Sequence, residues 1–229
     1  MARKHSKRFR SAQAMIDGTR LYELEEAVRL LQSLPKPRFE ESVEIAVRLG
    51  IDPKKTDQLV RGSVSLPNGT GKTVRIAVFA EGDKAKEALA AGADIVGGED
   101  LAEKIQGGYL DFDMTIASPD MMKHVGKLGR VLGPSGKMPS PKAGTVTPNV
   151  ADAVREFKAG KIEFRTDSGA NVHAAVGRRS FEAGALAANI RAFVDHLRTL
   201  RPAQAKGSFI RKLSVSTTMG PGVQVAVEA

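Results

Sequence analysis

The sequence TVRIAVFA at residues 73–80 is an apolar run rich in β-branched residues, which is typical of a buried strand. The sequence after it alternates between helical and strand patterns as far as residue 158. We predict helices over 83–91, 99–106, 119–128 and 149–158 and further strands over 94–97 and 113–118. Strands that alternate with helices are typical of a parallel sheet, so this segment predicts a small α/β domain.

Residues that interrupt regular structure bound the α/β segment on both sides. Leu66, Pro67, Asn68 and Gly69 precede it and Lys158, Ala159 and Gly160 follow it, which is the composition of a hinge. Residues 67–158 carry 12 basic and 12 acidic side chains, so the formal net charge of +9 belongs to the two chain ends. This distribution predicts a discontinuous domain, residues 1–67 and 160–229, into which a Rossmann-like α/β domain, residues 68–159, is inserted.

Outside the α/β segment the patterns predict an antiparallel sheet covered by helices, an α+β arrangement. Apolar residues on one face predict helices over 24–34 and 186–200, and alternation predicts a strand that opens at Phe39. Residues 162–165 and 172–176 have the pattern of a hairpin, and two final strands are predicted around a turn at 219–221. The helix over 186–200 is expected to cover the apolar side of this sheet.

The composition excludes several classes of protein. The chain has 229 residues, of which 41% are hydrophobic, and this is enough to bury a core. Cysteine is absent, which excludes disulfide frameworks, Cys-ligated zinc, iron–sulfur clusters and thiol catalysis. Because no long apolar run and no secretory signal pattern occurs, we expect a cytoplasmic chain that is neither exported nor membrane-spanning. The net positive charge points to an anionic partner.

Two function classes compete with nucleic-acid binding. A nucleotide-binding enzyme would use the α/β segment, but Gly71, Lys72 and Thr73 lack the earlier glycine of a phosphate-binding loop and run into a strand. A protein of an anionic membrane surface would need a basic amphipathic helix, and the helix over 186–200 carries its charge too sparsely. No residues have the spacing of metal ligands, so neither a metal nor another cofactor is expected.

A basic loop is predicted in the second domain over residues 123–142, and it overlaps the end of the helix predicted over 119–128. No acidic residue occurs from 123 to 142, and glycines and prolines form a row of turns. Glycine lets backbone amides approach phosphate, and basic side chains supply the counter-charge, so we predict that this loop contacts an anion. Its basic residues are Lys123, Lys127, Arg130, Lys137 and Lys142. The amino terminus is also basic, but its composition is equally typical of a disordered tail.

The sheet of the outer domain is predicted to have a polar face. Its residues are Ser42, Glu44, Arg165, Asn171, His173, Ser216 and Thr218. The chain has no Trp and only 5% aromatic residues, which argues against a surface that stacks bases. Short hydroxyl and amide side chains flanked by arginine suit folded RNA, whose 2′-hydroxyls and phosphates are read across a shallow groove.

Long gap-free segments of the chain resemble a known family. The segments are LGPSGKMPSPKAGTV at 132–146, STTMGP at 216–221 and RFEESVE at 38–44, with shorter ones at 49–52, 60–62 and 92–98. Together they are similar to the bacterial family of large-subunit ribosomal protein one, found in the mobile ribosomal stalk. The sequence departs from the family pattern at Ser135, Lys137, Ser140, Thr166 and Arg178.

The resemblance implies two domains, one of them made from both chain ends, and no enzymatic activity. It implies a monomer within the ribosome, a structural constituent of the large subunit that binds the stalk region of large-subunit rRNA. It also implies that the chain assists the release of deacylated tRNA from the exit site and represses its own operon by binding the operon mRNA. The RNA contacts that it assigns are Arg38, Phe39, Ser42, Glu44, Arg165, Asp167, His173, Thr217, Thr218, Met219 and Gly220.

Overall fold

A computed structural model describes residues 5–227. In chain order its helices and strands are α1 (Lys7–Ala14), α2 (Leu24–Ser33), β1 (Ser42–Leu49), β2 (Arg61–Ser65), β3 (Ile76–Phe79), α3 (Asp83–Ala90), β4 (Ile95–Gly97), α4 (Glu99–Gln106), β5 (Met114–Ala117), α5 (Met122–Lys127), α6 (Gly129–Leu132), α7 (Val150–Ala159), β6 (Lys161–Arg165), β7 (Asn171–Arg178), α8 (Ala183–Thr199), β8 (Ile210–Thr217) and β9 (Val223–Val225). The predicted mixture of parallel and antiparallel sheets is confirmed.

The chain divides into two compact units. The first contains Met1–Gly71 and Ile162–Ala229, and the second contains Lys72–Lys161. The boundaries predicted from the sequence, at 67/68 and 159/160, lie a few residues from these. The assignment of RNA binding to the first unit and of a Rossmann-like fold to the second stays a prediction.

The first unit is built on an antiparallel sheet with the strand order β7-β1-β8-β9. Alternation along β1 buries Val43, Ile45 and Val47 and turns the intervening residues to the opposite face. Helices α2 and α8 pack on the buried face. The side chains that α8 buries, including Leu186, Ile190, Phe193 and Leu197, have the helical spacing that predicted it.

The predicted hairpin between 162–165 and 172–176 is wrong in its pairing. Strand β6 forms a two-stranded sheet with β2, a strand that the sequence analysis did not predict. Beyond β6, Thr166 donates its amide to the carbonyl of Val60 at 3.0 Å and makes a single antiparallel bridge to Val172. Strand β7 pairs with β1 instead, so the two arms of the predicted hairpin lie in different sheets.

The junction at 66–69 is anchored rather than hinge-like. Asn189 of α8 is fully buried, and its Oδ1 accepts the amide of Asn68 at 3.0 Å. Its Nδ2 donates to the carbonyls of Gly69 at 2.9 Å and Val176 at 2.7 Å. Because Leu66 is also buried, this segment belongs to the first unit.

The second unit has a parallel sheet with the order β4-β3-β5, as the alternation of strands and helices predicted. All four residues of β3 are buried, because helices cover both faces of the sheet. Phe79 packs into a cluster with residues of α4, α5 and α6, whereas Val78 packs into a cluster with residues of α3 and α7.

The predicted basic loop is wrong in part, because the short helix α6 lies within it, whereas α5 is contained in the helix predicted over 119–128. Helices α5 and α6 follow a short 3-10 turn at Pro119–Met121, and a second such turn lies at Pro141–Ala143. Val125, Leu128 and Leu132 are buried at spacings of three and four residues, which is the helical period. The glycines between them do not prevent these short helices.

The basic amino terminus contains a helix where a disordered tail was considered. Ser6 caps α1 by accepting the amide of Phe9 at 3.2 Å. Residues 1–4 of this basic segment lie outside the described residues. Every helix between residues 5 and 227 is too short or too polar to cross a bilayer.

Candidate nucleic-acid interface

The face of the first-unit sheet opposite α2 and α8 carries polar side chains in cross-strand rows. Glu44 pairs in register with Ala175 and Ser216, and Ala46 with His173 and Ser214. Arg48 pairs with Asn171 and Lys212. Alternation along three strands therefore brings together Glu44, His173 and Ser216, as predicted, and adds Arg48 and Lys212, which were not among the predicted residues.

At one end of this face, the segment before β1 meets the turn after β8. Thr218 donates its amide to the carbonyl of Ser42 at 3.1 Å, and its hydroxyl oxygen accepts the amide of Ser42 at 3.0 Å. Phe39 and Met219 are each 53% exposed, although both side chains are apolar. Arg38 is exposed beside Phe39. The structure thus places five predicted residues, from 38–42 and 218–219, on neighbouring loops.

A buried carboxylate lies beneath this turn. The Oε1 atom of Glu41 accepts the hydroxyl of Thr217 at 3.1 Å and the amide of Met219 at 3.1 Å. Its Oε2 accepts from Nη1 of Arg179 at 2.6 Å, and both side chains of this ion pair are buried. Glu41 and Arg179 are the residues of this region that the sequence analysis missed.

Thr217 differs from the other predicted RNA contacts. Its side chain is 3% exposed, and its hydroxyl is directed at Glu41 rather than at solvent. Along β8, Thr217 follows Leu213 and Val215 on the buried face of the sheet. The structure therefore places Thr217 behind the predicted surface, where it supports the turn.

Gly220 is required by the packing of the turn itself. The family resemblance gives this glycine as an RNA contact. A Cβ atom at Gly220 would overlap the hydroxyl oxygen of Thr217, which is already bound to Glu41. The absence of a side chain is therefore needed even without RNA.

Helix α1 reaches the same two loops from the outside. The guanidinium of Arg8 donates through Nη1 to the carbonyl of Pro35 at 3.3 Å and through Nη2 to the carbonyl of Met219 at 3.0 Å. One side chain thus bridges the segment before β1 and the turn after β8.

The loop between β6 and β7 carries Asp167, with Arg165 at the end of β6 before it and His173 in β7 after it. Arg165 therefore lies in the two-stranded sheet and not on the polar face where it was predicted. Oδ1 of Asp167 accepts the amides of Gly169 at 2.8 Å and Asn171 at 2.7 Å. Hydrogen bonds from the backbone and side chain of Asn171 are the main reason that the pKa of Asp167 lies below its ordinary value. Nε2 of His173 lies 3.6 Å from Oδ2 of Asp167. The carboxylate is therefore ionised and holds the loop in shape, and Arg165 remains exposed.

The basic residues predicted in the second unit do not share one environment. Lys123, Lys127, Arg130 and Lys142 are exposed. Lys137 is half-buried, and its ammonium donates to the carbonyl of Leu110 at 3.0 Å and to the carbonyl of Phe112. The structure therefore gives Lys137 a contact inside the second unit, at a position where the sequence departs from the family pattern.

The second unit has no phosphate-binding arrangement where a nucleotide enzyme would place it. In open α/β sheets, ligands bind beyond the carboxyl ends of the strands. The crevice after β3 and β5 is lined by the carboxylates of Glu81, Asp83 and Asp120, which repel phosphate, with Lys84 as the basic member. Residues 5–227 contain no cluster of three or more His, Asp or Glu suited to a metal ion.

Comparisons with known proteins place the chain among relatives that it matches over almost its whole length. The model of a family described as ribosomal protein L1p/L10e matches residues 30–221. The chain is 58% identical over 224 residues to large ribosomal subunit protein uL1 of Bordetella pertussis, covering 98% of this chain and 97% of the relative. It is 55% identical over 222 residues to proteins of the same name from Corynebacterium efficiens and Ralstonia pickettii, covering 97% of this chain and 94% and 96% of the relatives.

Proposed function

Because the chain belongs to the ribosomal protein L1p/L10e family, we propose that its first unit binds the stalk region of large-subunit rRNA. The chain is a structural constituent of the large ribosomal subunit and not an enzyme, as predicted. Its location on the ribosome, in the cytoplasm, follows from the same family. No membrane partner enters this proposal, and the chain acts as a monomer within the ribosome.

One observation supports the proposed RNA site more than any other. The exposed side chains of Phe39 and Met219 lie on loops that Ser42 and Thr218 join by two hydrogen bonds, at the end of an open polar sheet face. Exposed apolar side chains beside hydroxyls and arginine can contact a sugar edge while phosphates meet the positive charge. These loops offer both kinds of contact in one place.

The second unit is proposed to contact the exit-site tRNA. Lys123, Lys127, Arg130 and Lys142 are exposed and can supply counter-charge to a second polyanion. Release of deacylated tRNA from the exit site would be assisted by this contact. Repression of the chain's own operon would follow if its mRNA presents a structure similar to the stalk rRNA, since the first unit would bind both.

The proposal is tested by sequencing the RNA that co-purifies with the tagged full-length chain from a bacterial extract. One enriched segment of large-subunit rRNA is expected. Affinity is then measured for a transcript of the stalk region, the stalk transcript, and for a scrambled transcript of the same length and composition. Equal affinity for the two transcripts would contradict specific recognition.

A matched pair of variants locates the site. Met219→Ala removes an apolar contact and should weaken stalk-transcript binding about tenfold, because a buried Met side chain contributes about 1.5–3 kcal/mol. Met15→Ala removes a similarly exposed side chain at the end of α1 and should leave the affinity unchanged.

A further inference from the structure

The carboxylate oxygens of Glu41 accept hydrogen bonds that determine the shape of the turn after β8. One oxygen is bound by Arg179, and the other accepts two donors that belong to the turn, the hydroxyl of Thr217 and the amide of Met219. A carboxylate oxygen has two lone pairs, so Oε1 is saturated by these donors. The position of Oε1 therefore determines the position of residues 217–219.

The position of Glu41 is fixed in turn by a network that joins three other segments. The backbone carbonyl of Glu41 accepts the amide of Arg179 at 2.9 Å. The guanidinium of Arg179 also donates to the carbonyl of Gln32 at 3.0 Å and to that of Leu34, at the end of α2. The amide side chain of Gln32 donates to the carbonyl of Phe181 at 2.7 Å. The ends of α2, β7 and β8 and the start of β1 are thereby held together.

Net stabilisation of the fold is a weak explanation for this ion pair. Taking two charges out of water costs much of what their attraction returns, and apolar replacements of buried ion pairs are often neutral or stabilising. Here Nε of Arg179 is buried without a hydrogen-bond partner, which adds to the cost. The directional hydrogen bonds from Oε1 to the turn have no apolar substitute, so geometry is what the pair provides.

We infer that Glu41, held by Arg179, is the positioning residue that sets the turn at 217–220 against Ser42 for RNA recognition. This inference rests on the proposed function. Glu41 is buried and touches no RNA itself. It prepares the turn before RNA arrives, so that little conformational freedom has to be lost on binding. Without its Oε1 atom the turn samples other conformations, and specific affinity falls by tenfold or more, which corresponds to about 1.4 kcal/mol.

Two double variants separate the acceptor oxygen from the charges. Glu41→Leu/Arg179→Met removes both charges and the acceptor, whereas Glu41→Gln/Arg179→Met removes both charges but keeps a side-chain oxygen that can accept from the turn. We expect the first variant to lose at least tenfold in affinity for the stalk transcript and the second to bind within threefold of the parent. Binding to the scrambled transcript should be the same for all three proteins, since exposed basic residues are untouched.

Leu197→Ala serves as the control for general loss of stability, because Leu197 is buried near the end of α8, a helix with no residue in either loop. While folded by circular dichroism, this variant should keep its affinity. If the Glu41→Leu/Arg179→Met chain does not fold, Thr217→Val removes one of the two turn donors at nearly constant shape and should weaken stalk-transcript binding at least threefold.

The inference is overturned if the folded Leu/Met variant, or Thr217→Val in its place, binds the stalk transcript as tightly as the parent. It is also overturned if the Gln/Met variant loses as much affinity as the Leu/Met variant, because the oxygen would then be irrelevant. A parent chain that does not distinguish the stalk transcript from the scrambled one contradicts the proposed function instead.

Discussion

The shape of the turn in the candidate site depends on the absence of a side chain at Gly220. A Cβ atom there would overlap the hydroxyl oxygen of Thr217, which is buried and bound to Glu41. Gly220→Ala should therefore destabilise the chain by about 1–3 kcal/mol, the usual cost of overpacking, and weaken stalk-transcript binding. Thermal unfolding and gel shift measure the two effects.

Gly222 provides the matched control, because a Cβ atom added to it meets nothing within 4 Å. Gly222→Ala should leave the unfolding temperature and the affinity close to those of the parent. If Gly220→Ala behaves like Gly222→Ala, the packing of Thr217 does not require glycine at 220.

Arg38 tests whether exposed positive charge beside the turn meets phosphate. Each phosphate contact contributes about 0.7–0.9 to the slope of log affinity against log salt concentration. Arg38→Ala should reduce that slope by about one contact, measured with the stalk transcript between low and moderate salt. Arg155→Ala in the second unit, where Arg155 pairs with Asp152 at 2.9 Å, should leave the slope unchanged. A slope that is the same in all three proteins would remove Arg38 from the interface.

At the scale of elements, α1 is expected to act on the site through Arg8. Its guanidinium bridges the carbonyls of Pro35 and Met219, so Arg8→Gln should loosen both loops and lower stalk-transcript affinity by about threefold to tenfold. Arg10→Gln removes the same charge from an exposed position on the same helix. Equal losses in the two variants would mean that Arg8 acts only through its charge.

Lys137 is expected to stabilise the second unit rather than to bind an anion. Its ammonium donates hydrogen bonds to the carbonyls of Leu110 and Phe112, and Lys137→Met would leave both carbonyls without this donor. We expect a loss of about 1.5–3 kcal/mol in urea unfolding, the range for hydrogen bonds to charged groups. Lys127→Met, at an exposed position, should change stability by less than about 0.5 kcal/mol. A stable Lys137→Met chain with weakened RNA binding would restore the original prediction.

Elements with a regular apolar period could be predicted from the sequence, whereas pairing between distant segments could not. Helix α8 and the parallel strands lie close to where their patterns placed them. Strand β2 is short and contains Gly62, and its partner β6 is about a hundred residues away, so no local pattern indicated the pair. The helix predicted over 119–128 contains α5, whereas the short helix α6 was hidden by glycines that usually mark turns.

The same contrast applies to the candidate site. The polar face of the sheet follows from alternation, and so would the burial of Glu41, which has the same parity as Val43, Ile45 and Val47. That signal is weak, because glutamate side chains are rarely buried. Its partner Arg179 lies 138 residues further along the chain, and only the folded chain brings the two together.

For the whole molecule, we expect the first unit to bind the stalk rRNA specifically and the second unit to bind it only weakly. Most of the surplus positive charge belongs to the first unit, and the predicted RNA residues on the sheet and its loops lie there as well. Anchoring of Asn68 and Gly69 by Asn189 moves the best cut from residue 67 to residue 71. A chain of residues 1–71 joined by a short Gly-rich linker to 162–229 keeps both sheets of this unit except for the first residue of β6.

We predict that this joined chain folds and binds the stalk transcript within about threefold of the full-length protein. The hydrogen bonds of its turn and of the network around Glu41 join residues of this unit, and so do the strand pairs of its open sheet face. The isolated segment 72–161 should also fold, since it has its own sheet and two apolar clusters. It should bind the stalk transcript weakly and without preference over the scrambled transcript, because only its exposed lysines and arginines contact phosphate. Gel shifts of both fragments and the full chain at one salt concentration test this prediction. If 72–161 binds the stalk transcript tightly and selectively and the joined chain does not bind it, the rRNA site belongs to the second unit.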